Sequence, residues 1–423
     1  MTSPPVTGRW WIRGARVVTP VPPSSGGALR GREQGHVRVM ERTDVVVREG
    51  RIEAVGPGLR PDRDPGVAEE LRVVEAGGQV LLPGFVDAHT HACWAGDRLS
   101  EWEARLGGAS YEELLAGGGG ILSTVRAVRA SSEEDLAASL RGRVRRAAAL
   151  GTTTLEVKSG YGLAAEPELR MLRAIRAAGA GWPGTLVPTA LLGHALDPDY
   201  PGGEGAFVDH VVEDVLPEVT REFPGVAVDA YCEVGAWSVD ACLRLFRAAR
   251  ASGHPVRVHA DQFRDLGMVE AATGEEIGAR SVDHLEASGE ASIRALAASR
   301  ALGVLLPVSG FHLDGRYADG RRILEAGGGV VVATNWNPGS APSPSIPLAM
   351  ALAVRHNGLT VPEVITAVTW NAARLLDLPD RGWIGPGARA DLVLLSLTDE
   401  RELAHTVGEN PVAQVFAAGK EIP

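Results

Sequence analysis

Cysteine is scarce, with three in 423 residues, at Cys93, Cys232 and Cys242. Their spacing matches neither a redox pair nor a zinc motif, so a disulfide scaffold is excluded and buried thiols in a reducing cytosol are expected. Positive charge is the minority sign, 42 Lys and Arg against 53 Asp and Glu, for a net charge of −11. That balance excludes a phosphate-backbone partner such as nucleic acid. No apolar run approaches the roughly 20 residues that cross a bilayer, so no membrane partner is expected. The opening MTSPPVTGRWW has no charged head followed by an apolar stretch. A signal peptide is therefore not expected, and the expected location is cytoplasmic.

Glycine, by contrast, is abundant at 52 residues, and 45% of the chain is apolar. The first suits many tight strand–helix turns. The second suffices for a large core, either several domains or one barrel with an attachment. Residues 9–18, 38–48, 51–56 and 72–82 read as short strands, as do 382–396 and 412–422. Both ends of the chain are thus expected to build one small β-unit. The Pro-, Gly- and Ser-rich stretch at 20–37 is expected to be a mobile loop.

The middle of the chain alternates. Apolar strand-length runs occupy 80–89, 152–158, 185–192, 226–234, 256–262, 281–287, 303–309 and 330–337. Segments with apolar residues at three- and four-residue spacing lie between and after them, several closed by glycine. Eight strands alternating with helices predict a parallel (β/α)8 barrel rather than a doubly wound open sheet. The predicted division is a small β-sandwich from 1–81 with 382–423, and a barrel from 82–381.

In such a barrel the chemistry gathers at the C-terminal ends of the strands. There the sequence places His89 and His91, His259, His284 preceded by Asp283, and Asn335. Residues two apart share a strand face, so His89 and His91 can chelate one ion, with His259 as a third imidazole and a position left for water. A lone strand-end histidine is usually a hydrogen-bonded structural residue; four at one end of one barrel argue for a metal. His36, His210, His254, His312, His356 and His405 are expected to be surface or loop residues. The GGGG at 117–120 lacks the setting and the lysine of a phosphate loop, and is expected to be a tight or flexible connection near the site.

PGFVDAHTH, HADQ, DHLE and the ATxxNPGS strand resemble the amidohydrolase superfamily. Within it, HTHACWAGDR (89–98), RLGGASYEELLAGGGGILSTV (105–125), TTTLEVKSGYGL (152–163), LLGHA (191–195), RVHADQF (257–263), VDHLEA (282–287) and TNWNPGS (334–340) resemble the imidazolonepropionase family. The resemblance implies ring opening of 4-imidazolone-5-propanoate by water to N-formimidoyl-L-glutamate, the third step of histidine degradation. It implies one zinc or iron ion on His89, His91, His259 and residue 335, and a homodimer. Arg98, Tyr161, His194, Gln262, Asn337, Gly339 and Ser340 fall on substrate-binding positions, and His284 on the catalytic histidine. An arginine fork suits the substrate's propionate. Binuclear relatives use a lysine at the end of strand four; here that strand ends in Cys232-Glu233, which implies one ion.

Position 335 departs from the pattern. The family has an aspartate there, which ligates the metal and takes a proton from water. Asn335 keeps the shape and an oxygen donor but not the basicity. Three readings stay open: a working enzyme in which His284 activates the water, an Asp-to-Asn form with slowed turnover, and a non-catalytic relative. An amino-heterocycle deaminase is the neighbouring alternative, told apart by ammonia release.

Overall fold

The computed structural model describes residues 8–61, 71–108 and 119–422. Part of the 105–125 motif, including the first two glycines of 117–120, lies outside the described residues.

One sheet is built from both ends of the chain. Its strands are β1 (Arg9–Pro20), β2 (Val37–Arg48), β3 (Arg51–Gly56), β4 (Leu71–Glu75) and β5 (Val80–Pro83), joined later by β14 (Leu392–Leu395), β15 (Val412–Ala417) and β16 (Lys420–Ile422). The order is β16-β15-β14-β5-β1-β2-β3, with β4 also on β1. The long β1 serves two partners. Its first half runs parallel to β4, and Arg16 and Val17 run parallel to β5. The switch occurs where the pairing with β2 slips around Gly14, whose φ is +63°. Trp10, Ile12, Val17, Val45, Ile52, Leu81, Leu392 and Phe416 bury a core of their own.

The eight remaining strands form the predicted parallel barrel: β6 (Phe85–Asp87), β7 (Thr152–Lys158), β8 (Thr185–Gly193), β9 (Ala227–Cys232), β10 (Arg257–Ala260), β11 (Ser281–His284), β12 (Leu302–Leu305) and β13 (Val330–Val332). Each pairs with the next in order. The seam between β13 and β6 closes beyond the strands proper, where His91 N donates to Trp336 O and Asn335 N donates to His89 O, each at 3.0 Å. Helices follow the strands, as in Ala165–Gly179 after β7 and Val239–Ala251 after β9. Ser238 caps the second, its hydroxyl accepting from Ala241 N.

The structure differs from expectation in several places. The run 72–82 is two strands, β4 and β5, with a turn between them. The run 80–89 is two strands, split at Gly84: β5 belongs to the small sheet and β6 to the barrel. A side chain at Gly84 would lie 2.3 Å from Thr153 Oγ1, so only glycine lets the two sheets meet there. The 20–37 stretch is a pinned strap, not a mobile loop. Gln34, fully buried, donates to Val330 O and Glu363 O and accepts from Val330 N. Asn371 exchanges two hydrogen bonds with the Leu29 backbone. Arg30 reaches Ala297 O and Ala301 O. Pro and Gly set its turns, but buried amides hold it across the start of β13.

Candidate active site

The strand ends deliver the side chains. His89 and His91 follow β6, His259 lies in β10, His284 ends β11, and Asn335 lies just beyond β13. All five are nearly or fully buried. The ligand nitrogens of His89, His91 and His259 lie within 4.8 Å of one another. Nε2 of His91 and Nε2 of His259 face each other at 3.3 Å. His89 Nε2 and Asn335 Oδ1 are buried without a hydrogen-bond partner. Buried polar atoms are rarely left so. Two orphaned donor atoms and two converging imidazole nitrogens fit a divalent cation. Burial, then nearby positive charge, holds His89 and His91 well below the usual imidazole value, so both are neutral, as ligands must be.

Asn335 takes a left-handed backbone, φ +54°, a conformation asparagine tolerates. Its Nδ2 donates to Ser309 Oγ at 2.8 Å, which leaves Oδ1 free to act as an oxygen ligand. Asp261 (φ +55°), His284 (φ +89°) and Leu285 (φ +73°) share that backbone region at the same barrel end. Strain of this kind is held where the surroundings over-determine it. His284 Nδ1 lies 3.2 Å from Glu286 Oε1, and its ring centroid is 5.6 Å from that of His259.

The remaining predicted residues rim the same end. His194 stacks on His91, centroids 5.0 Å apart, and its Nδ1–H donates to Gly160 O at 2.8 Å. That leaves His194 Nε2 as an acceptor, and burial depresses the ring to about 3. Tyr161 packs 5.2 Å from His194. The loop carrying Tyr161 is tied by Glu168, whose carboxylate accepts from Gly160, Gly162 and Leu163 N–H groups. Gln262 Oε1 accepts from Tyr231 O–H at 2.9 Å, which leaves its NH2 group to donate. Glu233 anchors the turn after Gln262 by accepting from Phe263 and Arg264 N–H. Arg98 lies beside Gly339 and is held by Glu101, Nε to Oε2 at 2.6 Å. Asn337 is spent on its own loop. Its Nδ2 donates to Asn335 O and Ser340 Oγ, and its Oδ1 accepts from Gly339 N and Ser340 N.

Sequence reasoning missed Glu168, Glu233 and Ser309, which act by bonding backbone or another site residue and carry no motif of their own. It also took His254 for a surface or loop residue. His254 is buried, with Nδ1 donating to Val226 O at 2.7 Å.

Beneath the histidines the barrel is filled with charge. His89 Nδ1 meets Asp283 Oδ2 at 2.5 Å, and Asp283 meets Arg257 at 2.7 Å. Arg257 reaches Glu156 Oε1 at 3.2 Å, Glu156 meets Lys158 at 2.8 Å, and Lys158 meets Asp229 at 2.8 Å. Asp229 returns to His259 Nδ1 at 3.1 Å. Lys158 is thus held between two carboxylates.

The model of the amidohydrolase family matches residues 80–422. The imidazolonepropionase of Deinococcus radiodurans is 45% identical over 96% of this chain and 98% of its own. That of Rubrobacter xylanophilus is 43% identical over 95% and 96%. Among solved structures, N-isopropylammelide isopropylaminohydrolase from Burkholderia multivorans superposes with a TM-score of 0.67 at 20% identity, covering 98% of both chains. Atrazine chlorohydrolase from Arthrobacter aurescens, complexed with zinc, gives 0.68 at 18% over 97% and 94%. At these identities the two structures establish the fold alone.

Proposed function

This chain belongs to the amidohydrolase family and, within it, to the imidazolonepropionases, and we propose that the residues gathered at its barrel mouth open the ring of 4-imidazolone-5-propanoate in the following way. The reaction is metal-dependent hydrolysis of the cyclic amide to N-formimidoyl-L-glutamate in histidine degradation. His89, His91, His259 and Asn335 would hold one divalent ion, zinc or iron. When bound, such an ion lowers the pKa of water and polarises a carbonyl.

The protein's own groups do the rest. Arg98 pairs with the substrate propionate while Glu101 and Gly339 fix its guanidinium. Gly339 and Ser340 form the wall beside it, and Asn337 holds that turn in shape. His194 Nε2 accepts from a ring N–H. Gln262 and Tyr161 donate to ring heteroatoms. Asn335 cannot take a proton, so His284, backed by Glu286, receives it from water and returns it to the departing ring nitrogen. Water adds to the ring carbonyl, the carbon–nitrogen bond breaks, and the two water hydrogens end on the new carboxyl group and the nitrogen. The observation that carries this assignment is the convergence of the His89, His91 and His259 nitrogens within 4.8 Å, with His89 Nε2 and Asn335 Oδ1 both buried and without a partner.

The slow-turnover reading rests on the same Asn335 and is separated below by substitution. The functional test is direct. Metal-loaded protein is incubated with substrate, and formimidoylglutamate and ammonia are both measured. Product without ammonia supports this reading; ammonia release sinks it in favour of a deaminase. We also propose two units, one from both ends of the chain and one from the barrel, with the expected boundary at 81/82 moved to Gly84, because Leu82 and Pro83 pair with β14. The homodimer and the cytoplasmic location rest on family resemblance and sequence pattern. Among the described residues no helix is long and apolar enough to cross a membrane.

A further inference from the structure

The interior of a (β/α)8 barrel is ordinarily packed with branched apolar side chains. Here Glu156, Lys158, Asp229, Arg257 and Asp283 occupy it, each 2% exposed or less. Replacing a buried ion network by apolar groups of like volume is often neutral or stabilising, so stability alone does not account for it.

Its connections suggest what does. Asp283 touches His89, and Asp229 touches His259. Asp283 Oδ2 also accepts from Arg257, so it accepts from His89 Nδ1–H and leaves Nε2 with its lone pair toward the site. Asp229 does the same for His259 while Lys158 holds its other oxygen. Both cations converge on Glu156 Oε1. The second oxygen of Glu156 accepts from the backbone N–H of Thr90, the residue between His89 and His91, at 3.0 Å. Lys158 N in turn donates to Thr90 O. The charge network therefore grips the metal-binding histidines at His89, at the 89–91 backbone and at His259. It carries three carboxylates against two cations. With a neutral amide at 335, that excess supplies negative charge beside the ion.

We propose that Arg257 and Lys158 are positioning residues for the metal: they touch neither ion nor substrate, but lock Asp283, Glu156 and Asp229 in the placement that aims His89, His91 and His259. This rests on those three histidines being the ligands. Neither cation lies in a position that family resemblance assigns to the site.

The test measures metal affinity rather than turnover. The full chain is stripped of metal and titrated with Zn(II) against a chromophoric chelator. Co(II)-loaded samples are followed by visible absorption. Arg257→Met is expected to weaken the metal Kd about 10–100-fold and to shift the Co(II) bands, since removing the partners of ligand histidines typically costs that much. Arg257→Lys, which restores the charge but not the fork, recovers part of the loss. Because lone removal of a buried charge can prevent folding, the paired variant Glu156→Gln with Lys158→Met removes one charge of each sign, and is expected to fold and bind at least tenfold more weakly. A folded paired variant that binds within twofold of the parent, with unshifted Co(II) bands, overturns the proposal. His91→Ala is the control for the ligand set. If it keeps parent affinity, the assignment of the ligands has failed, independently of the brace.

Discussion

Asn335→Asp is the most informative single substitution. Asn335 is 3% exposed, and its Oδ1 has no partner. Ser309 Oγ, which now accepts from Nδ2 at 2.8 Å, can rotate its hydroxyl and donate to a carboxylate instead. The left-handed backbone at φ +54° is open to aspartate as well. Geometry therefore admits the change, and charge is what changes. In metal-free protein a new buried carboxylate is uncompensated and costs about several kcal/mol. With metal bound that cost is offset, and a carboxylate base is added beside His284, for an expected gain of about 10²–10⁴ in rate. The assay runs parent and Asn335→Asp side by side, scoring metal per chain, substrate loss across pH, and melting temperature with and without metal. The expected pattern has three parts. The metal-free variant melts below the metal-free parent, metal raises its melting temperature more than the parent's, and turnover rises at least 10²-fold. Turnover within about tenfold of the parent would refute the idea that residue 335 limits the reaction. His284 alone would then suffice as the base, and a carboxylate at 335 would add nothing to it.

Other substitutions test neighbouring claims. Arg98→Met should raise KM about 10–100-fold with a smaller effect on kcat, the loss of a charge-assisted pair to the propionate. Gly339→Ala should raise KM by a smaller factor with the arginine retained. The added Cβ would lie 3.1 Å from Arg98 Nη1 and displace the fork; an unchanged KM would separate Arg98 from substrate. Gln34→Ala strands the Val330 N–H and removes one donor from Glu363 O and from Val330 O, which Asn371 Nδ2 still serves, and should cost about 1–3 kcal/mol in urea unfolding. Glu363 tests pH linkage. Burial works to raise it, but Arg321 and the Thr360 N–H outweigh that and hold it below its ordinary 4.5. The stability it contributes is then present above that value and lost as pH falls through the lowered one. Glu363→Gln should flatten the acid limb of the stability curve of metal-free protein; an identical limb would show that the carboxylate contributes nothing there.

Much of this was legible in the chain. Eight apolar runs became eight barrel strands because buried parallel strands read as continuous apolar stretches. His89, His91, His259 and His284 were legible because barrel chemistry collects at one end of the strands. What stayed hidden had a common cause. Glu156, Lys158, Asp229 and Arg257 sit inside strands whose apolar neighbours gave the pattern, and a charge there has no periodicity to betray its partners across the barrel. Glu168 and Glu233 serve backbone N–H groups, which leave no trace in side-chain identity. The 20–37 strap was misread because turn-forming residues say how a segment bends, not what Gln34 and Leu29 find when they arrive. Gly84 hid the break between β5 and β6 because Pro-Gly interrupts a strand without announcing that its halves belong to different sheets.

The small sheet has a consequence for how the chain comes off the ribosome. The indole of Trp10 donates to Gly419 O at 2.9 Å, across 409 residues of sequence. At about 5–20 residues per second, Trp10 waits roughly 20–80 s for that acceptor to be made. From its own synthesis until residues 392–395 are made, β5 lacks β14, and Leu81 and Leu82 present an unpaired edge. Strands β1 and β5, made before the barrel, are thus completed only after it, and their exposure grows with every pause in translation.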